Sequence, residues 1–393
     1  MRTTLIGKSA GREDESINKS ATMTILPILS VVIPVRTCSP EFYLGRLQLR
    51  DHCDLRGTEI LLVDDGSPTE TAYELHRFCK TRGWRYIRLE TSRVPFSLAR
   101  ARNAGLAAVQ TSWIFFDDAD MVYETAFFSK LHRELTLLHS TPFTFLSLPA
   151  VYLSAESSKQ VISSRGIDTL LPELLTRLLL EDPRGSDHNH AIQNFAPASA
   201  ILVMAKETAL SVGGYDEGFQ GWGGEDRDFI FRLLAANDKL PKPPDFAATR
   251  VWNLNDTNEF AGWRALYRLH GDYMARKGYY AFHLYHESNA WRTTEARNRN
   301  FERAAFKAHA YADELHGIHQ KKPSHEILKH SLLFSIYKDY AVSSPGRSTT
   351  KNHTRIMSRL RKLYRDPHAF FRDTRIPYLR SFRHLFAIKE NEI

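Results

Sequence analysis

The chain has 393 residues, 42% of them hydrophobic and 25% charged, with three cysteines and a formal net charge of +8. That balance excludes a disordered chain and allows one large domain or two medium ones, each with a buried core. The excess charge is local, since Lys351–Ile393 holds 11 Lys/Arg against 4 Asp/Glu, which disfavours a general nucleic-acid binder.

Residues 1–27 read as a polar tail of mixed charge without the apolar centre of a signal peptide. The run ILPILSVVIPV (Ile25–Val35) is too short to cross a membrane and reads as a buried strand, its end closed by Pro34. Cys38, Cys53 and Cys79 lack CxxC spacing, which argues against a zinc site and favours a reducing compartment. Helical spacing covers Phe42–His52. A second strand, EILLVDDGSP, ends at Asp64–Asp65–Gly66, a helix follows over Glu70–Arg82, and WRYIRLE makes a third strand. FSLARARNAGLAAVQ is helical by spacing and leads into TSWIFFDDAD, a fourth strand that runs into carboxylates. Strands alternating with helices imply βαβ units and a mostly parallel α/β sheet. Ligands bind such sheets beyond the carboxyl ends of the strands, where Pro34–Arg36, Asp64–Asp65 and Asp117–Asp120 all fall. From Met121 to about Ser186 no pattern stands out. An apolar strand, a short helix, an acidic glycine-rich loop and a helix beginning near Asp226 come next, and from about Asn300 the pattern is mainly helical.

Four stretches carry chemistry. In IFFDDAD, Asp118 and Asp120 offer hard oxygen ligands for Mg²⁺ or Mn²⁺, ions that keep positions open for substrate phosphates. The bland alternative is a solvated turn in which Asp120 caps the next helix. VDDGS can accept hydrogen bonds from a pyrimidine imide or a ribose, or it is an ordinary Asp–Gly turn. Arg100 and Arg102 of ARARNAG can neutralise a diphosphate, or they line a solvated helix face. In GWGGEDRD, Glu225, Asp226 and Asp228 repel one another unless a cation, hydroxyl donors or a helix N-terminus offsets them. One of these acids can serve as general base for a hydroxyl nucleophile, with Trp222 a platform for a sugar ring and the glycines admitting a bulky acceptor. His283 or His286 of YYAFHLYHESN can add a neutral imidazole to a metal site.

Taken together, SVVIPVR, EILLVDDGSP, ARARNAGLAAVQTSWIFFDDAD and GGYDEGFQGWGGEDRDF resemble, in order and spacing, the inverting glycosyltransferases of family 2, which have the GT-A fold. The likeness runs from Ser30 to roughly Asn289. Its later part resembles the acceptor half of β-1,4-galactosyltransferases and of bacterial chondroitin-type polymerases. The resemblance implies a UDP-sugar donor, a glycan or lipid-linked acceptor, and synthesis of a bacterial capsule or surface polysaccharide. It implies that Pro34, Val35 and Arg36 border a uracil pocket, that Asp64 and Asp65 hold the nucleoside, and that Arg102 and Asn103 lie near the nucleotide. Asp118, Asp120 and His286 would hold Mn²⁺ or Mg²⁺, with His283 left open as the alternative imidazole. Asp226 would be the base, Glu225 an acceptor hydrogen-bonder and Trp222 the acceptor-stacking ring. Arg227 departs from the acid or amide that many relatives carry, so acceptor preference does not transfer. With one set of motifs, a single-linkage transferase is expected rather than a bifunctional polymerase.

The expected organisation is a polar tail (1–27), a GT-A domain (28–290, nucleotide half to about 125 and acceptor half after it) and a helical, basic extension (291–393). RLRKLYRDPHAFFRDTRIPYLRSFRHLF interleaves arginines with aromatics and suits peripheral attachment to an anionic membrane at its cytoplasmic face, or docking on the catalytic domain. Two other functions compete. A nucleotidyltransferase would want an early glycine- and lysine-rich loop, which is missing, and a non-catalytic carbohydrate-binding scaffold would not need intact Asp118, Asp120 and Asp226.

Overall fold

The computed structural model describes residues 27–138, 144–180, 190–240, 242–248, 262–287 and 293–314. The readings of the N-terminal tail and of the basic C-terminal stretch lie outside these residues.

β1 (Leu29–Val35) is buried at every position, the pattern of a strand with neighbours on both edges and helices on both faces. After it come α1 (Pro40–Leu47), a 3₁₀ turn (Gln48–His52), β2 (Thr58–Asp64), α2 (Thr69–Thr81), β3 (Arg85–Arg88), α3 (Leu98–Ala108) and β4 (Trp113–Phe116). β2 and β4 flank β1 in parallel, with Val35 opposite Asp64 and Val32 opposite Phe116, so all three strands end at one edge. The expected α/β class and mostly parallel sheet are found.

The stretch without a sequence pattern folds into β5 (Met121–Val122), α4 (Phe127–Leu138), β6 (Phe145–Ser147), β7 (Ala150–Leu153), α5 (Ala155–Ser163) and α6 (Ile167–Leu180). The chain continues with β8 (Ile192–Ala196), β9 (Leu202–Ala205), α7 (Lys206–Ser211), α8 (Glu225–Ala236), α9 (Trp263–Arg276), β10 (Ala281–His283) and α10 (Thr294–Glu314). The main sheet runs β3-β2-β1-β4-β9-β6, and β9 alone opposes the others. A second sheet, β5-β10-β7-β8, was not anticipated.

Alternation along β1 splits the core. Val31 and Ile33 join Phe115, Phe127, Phe128 and Leu131 on one face, while Val32 joins Leu61, Phe116, Phe229 and Tyr267 on the other. Each fully buried side chain of this kind stabilises by about 1.5–3 kcal/mol. α3 lies close on β1 because Gly105 has no Cβ, which would stand 2.3 Å from Val32 Cγ1. α10, which begins the expected extension, packs against α8. Among the described residues, no helix is long and apolar enough to cross a membrane.

Candidate active site

The turn after β4 is held from beneath. Asp117 is buried and accepts hydrogen bonds from Tyr123 Oη at 2.5 Å and Arg50 Nη2 at 2.6 Å. The same Arg50 nitrogen donates to the Asp118 carbonyl at 2.7 Å, and Asp118 N donates to Asp117 Oδ1 at 2.8 Å. Burial alone would lower the pKa of Arg50, but Asp117 beside it outweighs that and keeps the guanidinium charged. Arg50 sits in the 3₁₀ turn after α1, far from the acids in sequence, and sequence reasoning missed it.

The turn then enters β5, whose partner β10 sets Met121 opposite His283. Asp120 therefore meets the histidines, since its carbonyl accepts from Leu284 N at 2.9 Å and its Oδ2 lies 3.1 Å from His286 Nε2 and 3.4 Å from His283 Nε2. Burial would raise the Asp120 pKa, but His283 and His286 hold it well below the usual carboxylate range. Asp120 Oδ1 is sealed without a partner. One carboxylate and two imidazoles, with ligand atoms within 4.8 Å of one another, make a donor set that fits a divalent cation. Both histidines reach Asp120, where sequence spacing left the choice open. Asp120 caps no helix, as α4 begins only at Phe127. Asp118 stands outside this cluster and turns toward Arg102.

Arg102 comes from α3 and is 1% exposed. Its Nη2 donates to Asp118 Oδ1 at 3.0 Å and its Nη1 lies 3.8 Å from Glu225 Oε1. One guanidinium thus joins the strand-end acid to the glycine-rich loop. Burial would lower the Arg102 pKa, but Tyr215, Asp118, Glu225 and Asp226 hold it above its ordinary value. Glu225 is 5% exposed and its Oε2 has no partner, so burial, with Asp226 next to it, pushes its pKa up to about 7.

The loop's other acids have distinct surroundings. Half-buried Asp226 accepts only from Arg227 N, at 2.8 Å, among the described hydrogen bonds. Asp228 is structural, since Arg232 Nε donates to it at 2.9 Å and Lys307 Nζ lies 2.6 Å away. α10 covers the loop. Asn300 Nδ2 donates to Gln220 O at 2.9 Å and to Trp222 O at 3.3 Å, while Arg297 lies 5.0 Å over the Trp222 ring and Arg227 lies 3.8 Å over Phe301. Neither Asn300 nor Arg297 carries a sequence signal.

Pro34 and Val35 are buried at the end of β1. Arg36 donates to Val94 O at 2.7 Å and Ser92 O at 3.0 Å, tying down the loop before α3. Asp64 accepts from Ser67 N at 2.8 Å and Tyr86 Oη at 2.6 Å. Asp65 is fully enclosed by donors, a fork from Arg100 at 2.7 and 2.6 Å with Thr91 Oγ1 and Ser97 N at 2.8 and 2.9 Å. Asn103 holds Tyr215 through N–H and carbonyl, at 2.8 and 2.9 Å.

Residues 30–308 match a family described as glycosyltransferase like family 2. The chain is 28% identical over 220 residues to pre-mycofactocin glycosyltransferase of Mycobacterium tuberculosis, covering 55% of this chain and 41% of that one. It is 22% identical over 242 residues to chondroitin synthase of Escherichia coli, covering 57% and 34%. The matches therefore span less than half the length of these curated relatives. A solved structure of S. aureus TarS in complex with UDP is similar at 15% identity and a TM-score of 0.33, covering 52% of this chain and 55% of that one. The β1, β2 and β4 strand ends, the Asp120 cluster and the α8 loop all lie inside the matched span, and the chain belongs to the glycosyltransferase-like family 2.

Proposed function

We propose that the protein is a metal-dependent inverting glycosyltransferase that moves a sugar from a UDP-sugar to a hydroxyl of a glycan or lipid-linked glycan during surface polysaccharide synthesis. The observation that carries this reading is the Arg102 bridge, which places Asp118 and Glu225 around one buried guanidinium. An acid two residues before Asp120 and an acid of the glycine-rich loop thereby share one charge, which supports reading the two ends as one site.

Asp120, His283 and His286 would hold Mn²⁺ or Mg²⁺, with Asp118 at their edge. When bound, the cation supplies positive charge to the diphosphate of the departing UDP. Asp226, less enclosed than Glu225, takes the proton of the acceptor hydroxyl as that oxygen attacks the anomeric carbon. The glycosidic C–O bond forms on one face while the bond to the UDP oxygen breaks on the other, so an α-linked donor gives a β-linked product. Glu225, its pKa raised to about 7 and so about half protonated at neutral pH, hydrogen-bonds the acceptor, and Trp222 offers the apolar face of its ring to the acceptor sugar. Arg36, Asp64, Asp65 and Asn103 shape the nucleotide end of the cleft by fixing its loops, beside Pro34 and Val35. The enzyme acts at the cytoplasmic side of a membrane when its acceptor is lipid-linked.

A panel of UDP-sugars with Mn²⁺, followed by UDP release with and without saccharide acceptors, tests the reading. Asp226→Asn is expected to keep donor binding and lose transfer by at least a hundredfold. Turnover that survives this substitution removes Asp226 from the role of base.

A further inference from the structure

Arg264 is 7% exposed, yet among the described residues it makes no hydrogen bond and no ion pair, and its Nε is sealed without a partner. Buried arginines elsewhere in the site are matched. Arg50 has Asp117, and Arg102 has Asp118 and Glu225. Arg264 has only the edge of a ring contact, 5.4 Å over Trp263. A guanidinium is always charged and carries five donors in a planar fork. Burying one without an acceptor is costly, and a fold keeps such a group where a ligand supplies the missing charge.

The position of Arg264 says which ligand. It is the second residue of α9, whose first turn holds no acid, while Asp245 outside the helix accepts from Gly262 N at 3.3 Å. Trp263 docks this end of α9 on α8, edge-on to Phe231 with centroids 6.2 Å apart. Arg227 repels Arg264, while Tyr267 and, more weakly, Asp226 favour its charged form. Burial first, then Arg227, pulls the Arg264 pKa down to about 10. Arg227 and Arg264 thus both feel one half-buried carboxylate in the first turn of α8, the element on which α9 docks, and that carboxylate is the one read as the base.

We propose that Arg264 is a specificity-determining residue of the acceptor side that binds an anionic group, a carboxylate or a phosphate, carried by the saccharide whose hydroxyl reaches Asp226. This rests on the glycosyl-transfer reading and narrows its substrate class to acidic acceptors. Arg227 lends charge from across the loop, and the planar fork of Arg264 selects a two-oxygen anion over a neutral hydroxymethyl group.

Ligand-observed NMR titrations of the full chain with methyl glucuronide, glucose 6-phosphate, methyl glucoside and UDP test the proposal. The wild type is expected to bind at least one charged sugar roughly tenfold more tightly than the glucoside, the worth of a charge-assisted hydrogen bond. Arg264→Gln is expected to abolish that preference and leave UDP affinity unchanged. The charged probe that weakens more names the anion. Arg264→Lys, which keeps the charge but not the fork, is expected to lose the preference severalfold and serves if the glutamine variant does not fold. No preference in the wild type, a preference that survives in both variants, or UDP affinity that falls in step overturns the proposal. Binding is read without turnover, so a chain that prefers the charged sugar but releases no UDP from any donor fails the transfer reading alone.

Discussion

Arg102 Nη2 donates to Asp118 Oδ1 at 3.0 Å from a position sealed off from solvent. The bond crosses from α3 to the turn after β4, and the other arm of the guanidinium faces Glu225 on α8 at 3.8 Å. Three elements distant in sequence are thereby held in one electrostatic arrangement. Because the charge is buried, removing it strands its partners in a medium that solvates them poorly.

Arg102→Met is therefore expected to lower stability by about 3–5 kcal/mol, read as a fall in the urea midpoint at constant slope. Adding Glu225→Gln should recover part of that loss, since the stranded acid is then neutral. A single variant as stable as the wild type would show that the bridge does not hold the site together.

Glu225 gives the site a pH signature. Its folded pKa is raised to about 7 by burial and by Asp226. A carboxyl raised in the folded state contributes stability that is fully present below its unfolded pKa and is lost as pH rises through the folded value. Stability should accordingly decline between about pH 4.5 and 7, by an amount on the order of 3 kcal/mol from this group. Glu225→Gln should flatten that decline in thermal melts recorded across the window. Identical slopes for both proteins would place the titration elsewhere.

The main sheet was legible because β1, β2 and β4 are apolar runs bounded by turn residues, and α3 and α8 follow with helical spacing. The second sheet was not, because β5 has two residues and β10 three, too few for alternation to register. The same limit applies to the site. Asp118, Asp120 and Asp226 announce themselves as acids at strand and helix ends, whereas Arg50 reaches the turn that carries the first two through a contact with Asp117 spanning 67 residues. The pairing of β10 with β5, not the HxxH spacing, brings both histidines to Asp120. The donors that enclose Asp65 come from three places, Thr91, Ser97 and Arg100, and no local pattern foretells their convergence.

The Asp120 cluster predicts how metal affinity divides. His283 and His286 each stand within 3.4 Å of Asp120 Oδ2, so each should contribute a ligand. His283→Ala and His286→Ala are each expected to weaken Mn²⁺ binding at least tenfold, measured by the loss of the free-ion electron paramagnetic resonance signal. Asp120→Asn should do so more severely because it removes the only charge of the set. Full affinity in either histidine variant would exclude that imidazole from the site. The Asp118→Asn variant, with its carboxylate engaged by Arg102, should lose less.

The loop before α8 depends on glycine and on α10 together. Gly224 has φ of +96°, and a Cβ there would stand 2.8 Å from the Asn300 carbonyl oxygen, so an alanine meets both backbone strain and a backbone wall. Gly224→Ala should cost more than about 1 kcal/mol, because its native conformation is one that alanine avoids. Asn300→Ala removes the donor to the carbonyls of Gln220 and Trp222 and should cost about 1–3 kcal/mol through the groups it leaves unmet. Both changes are expected to displace Trp222 and Asp226 and to leave the Asp120 cluster, built where β5 meets β10, untouched. The KM for acceptor should rise and the KM for the UDP-sugar should hold, with Mn²⁺ affinity unchanged. A rise in donor KM equal to that for acceptor would mean that the loop serves the whole cleft rather than its acceptor end.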